Sequence, residues 1–147
     1  MGGQQIRQPL TPIDRAGVAR AKVPYFIQVE PAAFVAAGAV VTITYTMGPR
    51  DFWWTHLGWT TDGVVFPGGG GMDFRINIQD VGLSQFFAPF RFLARAVTGN
   101  NPHTSDNSAF ELPVPWKFYA QTSIIVEFEN IGAMNCTPTV VFTGYLE

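Results

Sequence analysis

The feature that most constrains this chain is a two-residue alternation of apolar and polar side chains. It recurs in short segments separated by glycine and proline. Residues 40–47 read VVTITYTM, with Val41, Ile43, Tyr45 and Met47 on one face and Thr42, Thr44 and Thr46 on the other. Residues 73–79 set Phe74, Ile76 and Ile78 against Asp73, Arg75, Asn77 and Gln79. Residues 123–129 set Ile124, Val126 and Phe128 against Ile125, Glu127 and Glu129. A period of two belongs to extended strands whose two faces meet different surroundings, as in an antiparallel sheet with one side on a core. Residues 23–29, 90–97 and 138–146 read as further strands, and weaker ones are expected over 51–60 and after Phe110. Turns fall at Gly48-Pro49, Asp62-Gly63, residues 67–71, Gly82, residues 99–102 and residues 130–132. Only residues 32–38 could form a turn of helix, which Gly38 would end.

About eight short strands in one chain of this size point to an all-β fold, a two-sheet antiparallel β-sandwich. Greek-key or jelly-roll wiring is the usual solution, and a jelly-roll-like one is preferred here without being encoded visibly. The paired cysteines of an immunoglobulin domain are missing, since Cys136 stands alone. That single thiol also excludes a disulfide scaffold and suits a reducing compartment. With 47% hydrophobic residues and a net charge of −2, the chain has ample apolar surface to offset its entropy, so disorder is excluded. No segment reads as a signal peptide or membrane span; the run at residues 32–41 is short and broken by Gly38. No membrane partner is expected.

Residues 1–22 differ from the rest. Arg7, Arg15, Arg20 and Lys22 stand against Asp14, a local net of +3, so the remainder carries −5 of the chain's −2. Gln4, Gln5, Gln8, Pro9 and Pro12 leave too few large apolar groups for independent folding, while Ile6, Leu10, Ile13 and Val18 are spaced anchors. The expected organisation is an extended N-terminal arm over 1–22 and a single β-sandwich domain over 23–147.

Signals for catalysis are weak. His56 lies in the aromatic segment FWWTHLGW and His103 in the polar loop GNNPHTSDNS, with no metal-ligand spacing between them. Glu127 and Glu129 share a strand face at roughly 7 Å, but neighbouring carboxylates on one strand usually form a solvated face rather than an acid–base pair. The glycines at 68–71 lack the Lys and Ser/Thr of a phosphate loop. The polar loop at 99–108 lacks the spacing of a calcium loop. No catalytic residue, metal site or cofactor is expected.

Apolar surface is the stronger signal. In residues 52–59 a strict alternation puts Phe52 and Trp54 on one face and Trp53, Leu57 and Trp59 on the other. Such a strand would need a cover from outside a two-layer sandwich. Phe86, Phe87, Phe90 and Phe92 form a second aromatic group, and Arg91, Leu93 and Arg95 mix charge with apolar surface as interface rims do. Charged residues are only 14% of the chain, below the average of about 25%. The candidate partner contacts are therefore Arg7, Leu10, Ile13 and Arg15 in the arm, and Phe52, Trp53 and Trp54 in the apolar strand. A carbohydrate-binding aromatic platform is the alternative from a different class. Nucleic-acid binding is not expected, because the arm's charges lack interleaved aromatics.

Three segments carry a resemblance: FRINIQD at 74–80, LPVPWKFYAQTSIIVEFENIG at 112–132, and TVVFTGYLE at 139–147. A proline-bounded stretch (Pro113, Pro115) precedes a strand ending in Glu129 and Asn130, and a V-x-F-x-G strand runs from Val140 to Gly144. Over residues 72–147 this resembles jelly-roll structural proteins of tailed bacteriophage virions, especially capsid cement or decoration proteins. Collar, head-to-tail and fibre-attachment proteins resemble it equally well. The resemblance implies a non-enzymatic protein of the virion surface, assembled in the host cytoplasm. It also implies a partner in the major capsid protein, a homo-oligomer (dimer or trimer), and an arm that reaches neighbouring subunits.

Overall fold

The structure, a computed structural model, describes residues 21–61, 73–94 and 109–147. Its elements are nine strands: β1 (Val23–Val29), β2 (Val40–Thr46), β3 (Phe52–Thr61), β4 (Phe74–Asp80), β5 (Gln85–Phe86), β6 (Phe92–Leu93), β7 (Phe110–Phe118), β8 (Ser123–Asn130) and β9 (Pro138–Leu146). One sheet runs β1-β9-β3-β7 and the other β2-β8-β4-β5, with β6 also on β4. Every pairing is antiparallel.

The wiring follows one rule. Val23 pairs with Leu146, Val40 with Glu129, Phe52 with Phe118 and Arg75 with Leu93, so partners move inward along the chain in step. The molecule is a single long antiparallel ribbon whose successive pairs fall alternately into the two sheets. This is jelly-roll wiring, the preferred one of the arrangements that the strand count left open. Folding the ribbon across itself lets each strand bury its apolar face against the opposite sheet.

The faces read from alternation in β2, β4 and β8 are the faces observed. Phe74, Ile76, Ile78, Ile124, Val126 and Phe128 are buried, and Val41, Ile43 and Tyr45 are half-buried. Between the sheets Trp59 of β3 packs edge-on against Phe74 of β4 at 5.2 Å, and on the inner face of the first sheet Trp54 stands edge-on to Phe142 at 4.9 Å. Three details differ from expectation. Residues 32–38 form no helix; they are held by a bridge between Val35 and Cys136, with Gly38 in the left-handed region at φ 78°. The strand expected over 90–97 is only Phe92–Leu93 within the described residues. The third difference concerns β3.

In β3 the pairing with β9 slips: Trp54 faces Gly144, yet His56 faces Thr143, leaving Thr55 as an extra residue. This β-bulge resets the alternation, because one inserted residue flips every later side chain to the other face. Leu57 and Trp59 therefore join Phe52 and Trp54 in the core, and of the large apolar groups expected on the second face of β3 only Trp53 stays there. The Thr55 hydroxyl donates to the Thr143 carbonyl at 3.0 Å within the bulge. The backbones also pass unusually close there, since a Cβ on Gly144 would lie 1.7 Å from the Trp53 carbonyl oxygen. The glycine of the V-x-F-x-G segment thus has a steric cause.

At one end of the sandwich the buried Asn130 side chain donates to the carbonyls of Val35 (2.9 Å) and Met134 (2.8 Å) and accepts from the Gly132 N–H (2.9 Å). It ties the β1–β2 connection to the β8–β9 connection.

Candidate functional site: an apolar groove between the sheet edges

β7 and β5–β6 are the last strands of their sheets, and their side of the sandwich is open. The shape of β7 explains the opening. Trp54 pairs with Trp116 and His56 with Glu111, so β7 spends five residues where β3 spends two. The four intervening residues, Leu112, Pro113, Val114 and Pro115, stand opposite Thr55 alone and bow away from β3. Prolines suit this position because they have no N–H to lose from a ladder. Leu112, Pro113 and Val114 become a lip, with Val114 73% exposed.

The opposite wall follows β5. The Phe87 N–H donates to the Ile78 carbonyl at 3.1 Å, and the Phe87 ring stands edge-on to Trp54 (5.2 Å) and to Trp116 (5.0 Å). Together with Leu57, Phe92 and Phe110 these groups enclose a groove of about 490 Å³. Its polar contributors are already engaged. The Gln85 amide donates to the Phe86 carbonyl, and the Trp116 indole N–H donates to Asp80 Oδ2 at 2.9 Å. Asp80 itself is buried behind the wall. Among the described residues the lining presents aromatic faces and aliphatic edges without an acid, base or nucleophile, an environment suited to an apolar or proline-bearing segment.

Of the partner contacts expected from sequence, Phe52 and Trp54 are core residues, 0% and 3% exposed. This corrects their assignment to a partner surface: the Thr55 bulge gathers the apolar side chains of β3 onto one inward face. Trp53 lies on the outer face, where its indole N–H donates to Glu147 Oε2 at 2.5 Å and its ring lies beside Tyr145 at 6.4 Å. Lys117 Nζ sits 5.6 Å from the Trp53 ring centre and Lys22 Nζ 4.9 Å from that of Tyr145. Arg7, Leu10, Ile13 and Arg15 lie outside the described residues, as do Arg95, His103 and the loops at 68–71 and 99–108.

Glu127 and Glu129 form neither an acid–base pair nor a bare solvated face. Arg91 Nε meets Glu127 at 2.5 Å, Arg91 Nη1 meets Glu129 at 3.4 Å, and Arg75 meets Glu129 at 3.5 Å. The hydrogen bond to Glu127 pushes the Arg91 guanidinium further above its ordinary basicity, against a smaller opposing effect of desolvation. His56 bonds its neighbour Thr55 at 2.9 Å, and among the described residues no three His, Cys, Asp or Glu side chains gather as a metal ion would need.

The second aromatic group divides. Phe87 and Phe92 line the groove, while Phe86 and Phe90 remain exposed. Sequence reasoning did not find the groove, because its walls come from segments paired only by the fold. The available signal was the LPVP segment, whose two prolines cannot both serve an ordinary ladder. Compared with known proteins, the chain matches no protein-family model and no curated protein sequence.

Proposed function

We propose that this protein is a non-enzymatic structural component of a tailed-bacteriophage virion, a cement or decoration module that docks on neighbouring major capsid subunits. The observation that carries the reading is the apolar groove, with its aromatic walls and proline-bearing lip. Jelly-roll wiring and the motif pattern of residues 72–147 support it. In this role the groove receives an apolar or proline-bearing segment of the shell. The arm, through Arg7, Leu10, Ile13 and Arg15, acts as a tether that raises the module's effective concentration at its site. Burial repeated over many copies then stabilises the shell.

The test uses shells of a major capsid protein, sought in the same genome as this gene. Purified protein should bind them saturably, at a copy number set by shell symmetry. Leu112→Asp and deletion of residues 1–21 should each lower occupancy about tenfold or more. Unchanged occupancy in both variants would sink the proposal.

The row formed by Trp53, Tyr145 and Lys117 favours a second reading, a carbohydrate-binding attachment module, since flat aromatics beside charged groups can stack on sugar rings. Glycan-array retention that is lost in Trp53→Ala and kept in Leu112→Asp would select that reading over the first.

A further inference from the structure

We propose that β2 is the seam of a homodimer, in which two copies join their second sheets edge to edge with a two-fold axis through Ile43. The inference needs no shell and goes beyond the virion reading.

A sheet edge presents unpaired N–H and C=O groups, and proteins usually blunt it with proline, charge, bulges or shortness. Three of the four edges here are blunted. β7 carries Pro113, Pro115, Glu111 and Lys117 and bows outward, β5 and β6 are two residues each, and β1 contains Pro24 between Lys22 and Glu30. β2 has none of these devices. Its sequence VVTITYT is uncharged, largely β-branched and free of bulges over its seven pairings with β8. Among the described residues nothing pairs with its other side.

The ladder phase makes this edge self-complementary. The Asn130 N–H donates to the Ala39 carbonyl and the Met47 N–H to the Thr122 carbonyl. Antiparallel alternation therefore points the backbone groups of Val40, Thr42, Thr44 and Thr46 away from β8. A two-fold axis through Ile43 sets Thr42 opposite Thr44 of the second copy and Val40 opposite Thr46. Each such pair exchanges both N–H···O bonds, so every outward group is satisfied at once.

The core gives an independent argument. On β8 the inward Ile124, Val126 and Phe128 are all 0% exposed, whereas their β2 counterparts are only half-buried. Among the described residues the apolar interior is therefore incompletely sealed on this side. The same axis brings Ile43 against its own copy and covers it. On the outer face, Glu127 and Glu129 beside β2 are held by Arg91 and Arg75, so no free carboxylate there repels a second copy.

The test is a charge swap in the full chain, read by sedimentation at increasing concentration. Wild type should dimerise. T42K/T44K places like charges across both central pairs and should weaken dimerisation at least tenfold, while T42E/T44K places opposite charges there and should return to within about threefold of wild type. Both side chains are solvent-exposed in the monomer, so far-ultraviolet circular dichroism should stay unchanged. In wild type the Thr42 and Thr44 amides should gain exchange protection only at high concentration. A wild type that stays monomeric near millimolar concentration overturns the proposal, as it would if another part of the chain covers the edge. So does equal dimerisation of T42K/T44K, or failure of T42E/T44K to recover. None of these results bears on shell occupancy, so the two proposals fail separately.

Discussion

Trp116 and Asp80 join the two sheets at the mouth of the groove: the indole N–H on β7 donates to the Asp80 carboxylate at the end of β4, across 2.9 Å. Asp80 is 1% exposed and also accepts from the Leu83 N–H at 3.4 Å, a long and weaker contact. The short bond therefore contributes most of its satisfaction, and it sits where no backbone ladder connects the sheets.

Trp116→Phe keeps the aromatic wall but removes the donor. Leaving a buried carboxylate short of a partner should cost about 2–3 kcal/mol in urea-induced unfolding. Asp80→Ala combined with Trp116→Phe should cost less than the two single changes added, because both remove the same bond.

Gly144→Ala should be among the most damaging single changes in the chain. Its Cβ would lie 1.7 Å from the Trp53 carbonyl oxygen, which is backbone held in two ladders, so the strands must part. A loss of at least about 3 kcal/mol is expected. Gly58→Ala on the same sheet is the control: its nearest neighbour is 4.0 Å away, and thermal unfolding should show a change within about 1 kcal/mol.

Asn130→Asp should destabilise more than Asn130→Ala, although it is closer in shape. A carboxylate cannot donate to the Val35 and Met134 carbonyls and adds buried charge facing them. The expected losses are about 2–3 kcal/mol for Ala and more for Asp. Part of the Asp deficit should return in acid, where the protonated carboxyl regains one donor. Unfolding at neutral and low pH separates the two variants.

Tyr45 faces Tyr25 across the other open side of the sandwich, and burial, reinforced by a hydrogen bond with Tyr25, raises its pKa above 10.0. The unfolded chain ionises this phenol near its ordinary value while the folded chain resists. Its contribution is therefore complete below pH 10 and is lost as pH rises through the folded pKa. Ultraviolet absorbance titration should show a late-titrating tyrosine in wild type. In Tyr45→Phe that component should vanish, and stability should fall less steeply in alkali.

How much of this was legible in the sequence depends on the range over which each feature is encoded. The faces of β2, β4 and β8 were readable because alternation is local: Ile76 and Ile78 announce their own burial. In β3 the same rule misplaced Leu57 and Trp59, since nothing in FWWTHLGW marks Thr55 as the extra residue. The bulge is defined only against Gly144 and Thr143, far along the chain. The groove was hidden for the same reason, as Phe87 meets Trp116 only once both sheets exist. Glu127 and Glu129 read as a lone acidic face because Arg91 reaches them across β4.

The nested ribbon has a kinetic consequence. Its partners are near neighbours only at the turn of residues 81–84, and separation grows with every pair outward until Val23 meets Leu146. Topologies dominated by such distant pairings fold slowly, because each closure costs chain entropy before its contacts form. The first closure is expected at that turn, where Ser84 holds a left-handed φ of 53°. Ser84→Gly, which relieves that conformation, should speed refolding with little change in the unfolding rate. Weakening the β1–β9 pair should do the reverse. How quickly the protein forms and how long it lasts are thus set at opposite ends of the same ribbon.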